Sequence, residues 1–371
     1  MLTTDMKSML NGLMNDGFSE KYARFFINCI ENEKKNPLYD FEYGKWALEK
    51  GFLASSAYAY GLDEENYAEY LSDYDYYKSW PLNSWSRIWV DDKLTLKYML
   101  SGTVYSHLMP AYYFYSTKDG LRELIDNPYK GKQDIATLVN VLKDKGALAC
   151  KPNNGTMSQG FFKLSYKNGL FFINDKEIAE QQIQKIVSEH VNYIYTEYIY
   201  PNSKFAKIYP LIHTLRVMVV NPHGNDPRIV GGYMRFGTAT HGEANYSDVT
   251  TENAPPYNYN AELDIYTGHI GNAKAIYFNK VIDMPCHPET HVLADTQIDN
   301  WQEAEEAALG LSKYFFNCEW MGFDFGLTTK GLKLMEINTH PEIKPSQSFQ
   351  SFYQDEELKM WFKKKIAAKT R

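Results

Sequence analysis

Asp324, Glu336 and Asn338 are oxygen-bearing residues inside two apolar segments, and that placement calls for a chemical reason. WMGFDFGLT (320–328) and LKLMEIN (332–338) read as strands joined by a TTKG turn, with Gly331 supplying the turn. Alternation turns Asp324 away from Phe323 and Phe325. It sets Leu332, Leu334 and Glu336 opposite Lys333, Met335 and Ile337, so Glu336 and Asn338 share a face. If the strands pair, three oxygen donors converge. Hard donors of this kind hold magnesium, with triphosphate oxygens completing the shell. Buried carboxylates without a cation would be costly. The plain alternative is a strand end running into a turn at Asn338–Pro341.

Other segments carry compatible chemistry. ALACK (147–151) ends a buried strand on Lys151, and a buried ammonium needs a partner. The turn that follows, 153–160, is rich in glycine and polar residues, and its backbone N–H groups could close over phosphates. It is not the Walker pattern; an exposed lysine beside an ordinary hairpin is the alternative. Glu197, in YIYTEYIY, can hydrogen-bond an adenine amino group or a ribose, or cap a strand end. Arg216 and Arg235 sit mid-strand in HTLRVMVV and GGYMRFGT. Buried arginines call for anions: a shared phosphate or acyl-phosphate, or two separate protein carboxylates. His287 and His291 form HxxxH, but Pro288 opposes a helix and no Glu follows His287, so a zincin site is not expected.

The elements that must position these groups fall in three stretches. Residues 4–50 read as about three helices, one capped by Ser19 and blocked by Pro37. Residues 54–80 read as Tyr-rich helix and loop with a solvated acidic face. DDKLTLKYML (91–100) reads as a helix with an acidic start, ended near Gly102. Helices are expected over 118–126, 133–145, 175–189, 299–317 and 354–371. Strands are expected over 147–151, 193–200, 211–221, 228–238 and 272–281, with FFKLSY and GLFFIN as a hairpin. Residues 239–262 are long for a structureless loop and read as functional or flexible.

Bulk properties bound the class. The chain has 371 residues, 44% hydrophobic and 23% charged, which suits two or three globular units. A net charge of −7 argues against a dedicated nucleic-acid binder. Four scattered cysteines without a CxxC pair suit a reduced, cytoplasmic setting. No 18-residue apolar run and no signal peptide are evident, so a soluble protein is expected.

In order, Lys151-Pro152 with Asn153 to Gly160, Thr196-Glu197-Tyr198-Ile199, Arg216, Asp324 and Glu336-Ile337-Asn338 resemble the motifs of the ATP-grasp superfamily. DDKLTLKYML is similar to the lysine-bearing helix that precedes its nucleotide domain. HPETHVLADTQIDNW (287–301), the helix after it and MGFDFGLTTKGLKLMEINTHPEI (321–343) are most similar to the sugar-transfer-associated ATP-grasp proteins of polysaccharide gene clusters; HTLRVMVV also resembles tubulin tyrosine ligase. The resemblance spans roughly 88–345.

It implies an α+β ATP-grasp fold. A helical region would cover 1–87, a linker helix and lid subdomain 88–200, and the magnesium-binding subdomain and last helix 201–371. It implies ATP and magnesium, or manganese, as cofactors. Lys97, Lys151, Gly155, Ser158 and Gly160 would meet the phosphates, and Glu197, Tyr198 and Ile199 the adenine. Asp324, Glu336 and Asn338 would hold the metal. Arg216, Arg235 and Lys151 would act on the transferring phosphoryl group. The implied activity is ADP-forming carboxylate–amine ligation in polysaccharide, peptide or secondary-metabolite biosynthesis. A carboxylate and an amine would be the partners. A small-molecule or sugar kinase and a non-catalytic nucleotide-binding module are the alternatives. Residues 1–87 depart from the strand–helix domain with which many members begin, so the acceptor is not transferable.

Overall fold

The computed structural model describes residues 4–35, 40–155, 160–238, 257–277 and 281–369. Helices α1 (Thr4–Asn15), α2 (Glu20–Lys35), α3 (Phe41–Glu49), α4 (Ala54–Tyr60) and α5 (Asp73–Ser79) open the chain. They are followed by α6 (Ile88–Asp91) and α7 (Lys93–Leu100). The Asp92 carboxylate caps α7 by accepting from the Thr95 N–H at 2.7 Å. The acidic face expected over 54–80 is only partly solvated. Asp63, Glu64 and Glu65 are exposed, whereas Asp73 is buried, accepting from the Leu53 N–H and the Ser56 hydroxyl.

The middle of the chain forms one sheet from β1 (Tyr112–Thr117), β2 (Gly120–Glu123), β3 (Ala147–Pro152), β4 (Phe162–Lys167), β5 (Leu170–Ile173), β6 (Lys176–Ile178) and β7 (Tyr193–Glu197). Among the described residues its order is β2-β1-β7-β3-β4-β5-β6. Helices α8 (Ile135–Lys145) and α9 (Gln182–Glu189) cover one face, burying Leu148, Cys150, Leu164 and Tyr195 against Leu138, Leu142 and Ile183. Ala149 and Lys151 therefore point to the other face. Two expectations fail here. The helix expected at 118–126 is strand β2, because the Gly120 turn folds the chain back onto β1. The helix expected from 175 starts only at Gln182, after the edge strand β6.

The second sheet contains β8 (Thr214–Val220), β9 (Arg228–Phe236), β10 (Tyr257–Leu263), β11 (His269–Tyr277), β12 (Val281–Asp283), β13 (Thr296–Gln297), β14 (Trp320–Thr328) and β15 (Gly331–Asn338). Helix α10 (Ser203–Ala206) precedes it and α11 (Trp301–Tyr314) crosses one face. Helices α12 (Lys344–Gln347) and α13 (Glu356–Ala367) close the chain. The described order is β12-β11-β10-β9-β8-β14-β15, with β13 beside β11. Residues 239–256 of the polar stretch lie outside the described residues; its end is β10.

Alternation divides this sheet. Leu215, Val217, Val219, Met321, Phe323 and Phe325 bury into the main core with Ala304, Ala308 and Leu311 of α11. On the opposite face Met218, Val220 and Trp320 pack under Tyr76, Trp361 and Phe362. The N-terminal helices thus cover part of the face that carries Arg216 and Asp324. Asn83 fastens them: its Nδ2 donates to the carbonyls of Trp320 (2.6 Å) and Thr339 (3.2 Å), while its Oδ1 accepts from the Glu319 and Trp320 N–H groups.

One strand departs from alternation. Asp324 pairs with Glu336, but Phe325 pairs with Leu334, so Met335 is an extra residue in the ladder. The bulge changes which face β15 presents. Leu332, Leu334 and Ile337 are all core residues, and Glu336 and Asn338 turn the other way. Strict alternation had grouped Glu336 with Leu332 and Leu334; the bulge corrects that. Among the described residues, no helix is long and apolar enough to cross a membrane.

Candidate functional site

Three adjacent strands build the floor of the site. Asp324 on β14 has Glu336 of β15 as its neighbour on one side and Arg216 of β8 on the other. Gly322 makes room for this arrangement: a Cβ there would lie 2.6 Å from Pro341 Cβ and 3.1 Å from Arg216 Cδ. The Arg216 guanidinium grips Asp324 with two bonds, one from Nε and one from Nη2 at 2.9 Å. Both side chains are under one-tenth exposed. Burial pushes the Asp324 carboxyl above its ordinary range and Arg216 pulls it back. Arg216 keeps its charge there because a guanidinium does not release its proton in proteins.

Asn338 joins the two carboxylates, its Nδ2 donating to Asp324 Oδ2 at 3.2 Å and to Glu336 Oε1 at 3.3 Å. Burial works against the Glu336 charge, but Lys93, Arg216 and Lys151 outweigh it and hold its carboxyl below the ordinary value. Among the described residues no three His, Cys, Asp or Glu side chains form a metal cluster. The set here is two carboxylates and an amide. Turning the Asn338 amide over would present its oxygen instead of its nitrogen, leaving three hard donors on one face. That set is chemically suited to a hard divalent cation such as magnesium.

Arg235 lies one strand further on, within reach of Tyr233 (Nη2 to Oη, 2.9 Å) and of Glu342 (3.6 Å). The Tyr233 ring lies between the two guanidiniums, 5.8 Å from that of Arg216 and 5.5 Å from that of Arg235. Protein carboxylates thus stand beside both arginines.

The other wall comes from β3 and α7. Lys151 lies near the end of β3 on the face away from its core and contributes its charge to Glu336. Lys93 donates to the Gly155 carbonyl at 3.0 Å and lies 3.7 Å from Glu336. Asp92 accepts from Asn153 Nδ2 (2.6 Å) and Asn154 Nδ2 (2.7 Å), and the Leu94 N–H donates to Asn153 Oδ1 (2.9 Å). The first turn of α7 therefore clasps the start of the glycine-rich loop. Gly160, at the far end of the loop, has φ +79° and packs against Tyr193. Ser158 lies outside the described residues.

Lys97 takes a different position. It is buried against the Pro110 carbonyl (2.9 Å) and Asp126 (2.7 Å). The lysine beside the carboxylates is Lys93, which sequence reasoning passed over. A signal was present: a lysine in the first turn of a helix opposes the helix dipole, so something else holds it there.

The two sheets meet at Glu197. Glu197 accepts from the Ala111 N–H (3.2 Å) and pairs with Lys330. Burial would raise its carboxyl; those two partners keep it lowered. Tyr198 and Ile199 line a cavity of about 260 Å³ with Tyr113, Lys145 and Thr328. A neighbouring cavity of about 490 Å³ takes in Lys163, Ser165 and Tyr200. Lys163, also missed, stands 4.6 Å from the Tyr198 ring centre. Its neighbours along β4, Phe162 and Leu164, face the core, so alternation alone would have aimed it at the opposite face.

His287 of the HxxxH pair has partners within the protein. His287 donates from Nε2 to the Gly237 carbonyl (2.8 Å), and His213 Nδ1 accepts from the Gly237 N–H (3.1 Å). Together they fix the chain just beyond Arg235. Burial depresses the His213 imidazole to about 4. It is neutral in the fold, so it is without penalty above pH 6.5. Between pH 6.5 and 4 the unfolded chain takes up a proton that the fold refuses, and stability falls by up to about 3 kcal/mol. The melting temperature of wild type is expected to drop across that window, and His213→Gln to lessen the drop, with His340, which burial also depresses to about 4, supplying part of what remains. An equal slope in both proteins would show that His213 is not responsible.

A family model described as sugar-transfer associated ATP-grasp matches residues 81–351. No curated protein matches the chain. Among solved structures, the ATP-grasp ligase PsnB complexed with a minimal precursor is 8% identical, with a TM-score of 0.37, 77% of this chain and 62% of that one covered. D-alanyl-alanine synthetase A from Vibrio cholerae is 14% identical, with a TM-score of 0.42 and 76% and 66% covered. The VanG D-Ala:D-Ser ligase from Enterococcus faecalis is 13% identical, with a TM-score of 0.40 and 77% and 63% covered. The chain spans less than two thirds of the length of each.

Proposed function

The chain belongs to the sugar-transfer-associated ATP-grasp family and has the ATP-grasp fold, and from that premise we propose that it is an ADP-forming carboxylate–amine ligase. The observation that carries the proposal is the opposed pair Asp324 and Glu336 on adjacent strands, with Arg216 beside one and Lys93 beside the other, under the clasped loop.

In this reading 88–200 supplies the lid side and 201–371 the metal side, braced by the helices of 1–87. Asp324, Glu336 and Asn338 hold magnesium. When bound, the cation neutralises the triphosphate and the charge that develops on phosphoryl transfer. Lys93 and Lys151 lie over the phosphates with the glycine-rich loop after β3, in which Gly155 and Gly160 allow close approach of the backbone. Glu197, Tyr198 and Ile199 bound the adenine, and Lys163 covers it. Lys97 contributes from beneath, through its contacts to the Pro110 carbonyl and Asp126. Arg216 and Arg235 hold the γ-phosphoryl group as the acid's carboxylate attacks it. ADP leaves, an acyl-phosphate forms, and an amine displaces phosphate to give the amide. The closed loop keeps water from the acyl-phosphate. No side-chain nucleophile is required, because positioning and charge neutralisation supply the rate. The cysteines, all free thiols, suit the reducing cytoplasm.

The test is ADP release from magnesium-ATP across pairs of carboxylic acids and amines. Release that requires both partners, with one amide formed per ADP, is the expected result. Stoichiometric ADP with a phosphorylated product and no amine requirement would replace the ligase by a kinase. Nucleotide binding without any turnover would favour an interaction module.

A further inference from the structure

Asn260 is a buried polar residue that the proposed reaction does not use. It lies on β10 between Arg235 of β9 and Lys274 of β11, its direct neighbours across the sheet. Tyr259 and Ala261 on either side bury into the main core, so Asn260 points to the face that carries Arg216, Tyr233, Arg235 and Asp324. It has no exposed surface, yet among the described residues neither its Oδ1 nor its Nδ2 has a hydrogen-bond partner. Buried amides are almost always satisfied, and leaving both ends unmet is costly. An apolar residue of the same size would avoid that cost. Packing therefore does not account for an asparagine here.

Position suggests what does. Passing outward from the carboxylates, Asp324, Arg216, Arg235 and Asn260 occupy four successive strands, β14, β8, β9 and β10. At roughly 4.8 Å per strand, Asn260 lies one spacing beyond Arg235. Arg235 itself faces a carboxylate of the protein, Glu342, at 3.6 Å; that carboxylate is about half exposed and only loosely held. Such a pair can exchange Glu342 for an incoming carboxylate.

We propose that Arg235 and Asn260 form the acid-substrate subsite. Arg235 takes the reacting carboxylate, and Asn260 reads a group on the same molecule, about one strand spacing away, that both donates and accepts a hydrogen bond. The acid is thus one that bears a hydroxyl or amide close to its carboxylate, rather than an apolar acid. This inference rests on the ligase reading above, and the test separates the two.

Melting curves are recorded for wild type and Asn260→Leu with a non-hydrolysable ATP analogue and magnesium, then with D-glucuronate, L-serine or L-glutamine added, and with propionate and L-leucine as apolar controls. The analogue is expected to raise both melting temperatures equally. If it raises neither, the nucleotide reading fails and this inference falls with it. With the analogue bound, at least one polar acid is expected to raise wild type further, and Asn260→Leu to bind it at least tenfold more weakly. Asn260→Ala gives the same readouts if leucine is not accommodated. A wild type that responds to none of the polar acids, or a variant that keeps the wild-type affinity, overturns the subsite while leaving the nucleotide reading intact.

Discussion

Glu336→Gln is expected to remove most of the magnesium-dependent stabilisation by ATP and to lower ADP formation by about 10²–10³-fold or more. The substitution is nearly isosteric and keeps an oxygen for Asn338, so the strand pairing with Asp324 survives. What disappears is the charge that Lys93, Arg216 and Lys151 compensate. A ligand at 100 times its dissociation constant stabilises by about 2.7 kcal/mol, which a melting curve resolves easily. Wild type should show that rise only with both ATP and magnesium, and the variant little of it. An equal magnesium-dependent rise in both proteins would exclude Glu336 from the metal site.

Arg216→Leu carries the largest expected effect on stability. Removing the guanidinium strands Asp324 in a nearly dry position, where the Asn338 amide is the hydrogen-bond partner that remains among the described residues. Breaking a buried ion pair on one side costs about 3–5 kcal/mol, a large part of an ordinary stability of about 5–15 kcal/mol. The sign of the pH dependence identifies the cause. Burial raises the Asp324 carboxyl, and without Arg216 nothing of comparable strength opposes that. The fold then prefers the protonated acid, so the deficit relative to wild type should shrink as pH falls from 7 toward 5. Denaturant unfolding at both pH values measures this, and Arg216→Leu with Asp324→Leu should recover part of the loss. A deficit that stays constant with pH would mean that packing, not the stranded carboxylate, is responsible.

The sequence carried much of the site because its signals are local. A charged residue flanked by core residues in a short strand declares its face, and this held for Asp324 and Arg216, while Cys150 in the core sets the face of Lys151. The hairpin after Lys151 and the helix capped by Asp92 were legible for the same reason. What escaped depended on partners distant in sequence. Nothing in DDKLTLKYML says which lysine meets Glu336; the choice follows from how α7 docks on the loop after β3. The pairing of each arginine with a carboxylate more than a hundred residues away was one of two open arrangements until the strands were placed. Residues 118–126 have helical composition, but a turn at Gly120 and pairing with β1 override it. The tyrosines of 54–80 gave no hint that Tyr76 would anchor the chain after Asn338 by donating to the Pro341 carbonyl (2.6 Å).

The extra residue at Met335 gives the last strand a change of parity. On the hairpin side of it, even-numbered positions belong to the core; beyond it, odd-numbered ones do. Without Met335 the ladder would close into plain alternation, with Leu332, Leu334 and Ile337 still inward and Glu336 and Asn338 still toward the cleft. The bulge therefore absorbs one residue of chain length without turning either polar group into hydrocarbon. A one-residue length change between Leu334 and Glu336 is one this strand can take up, as a loop tip would.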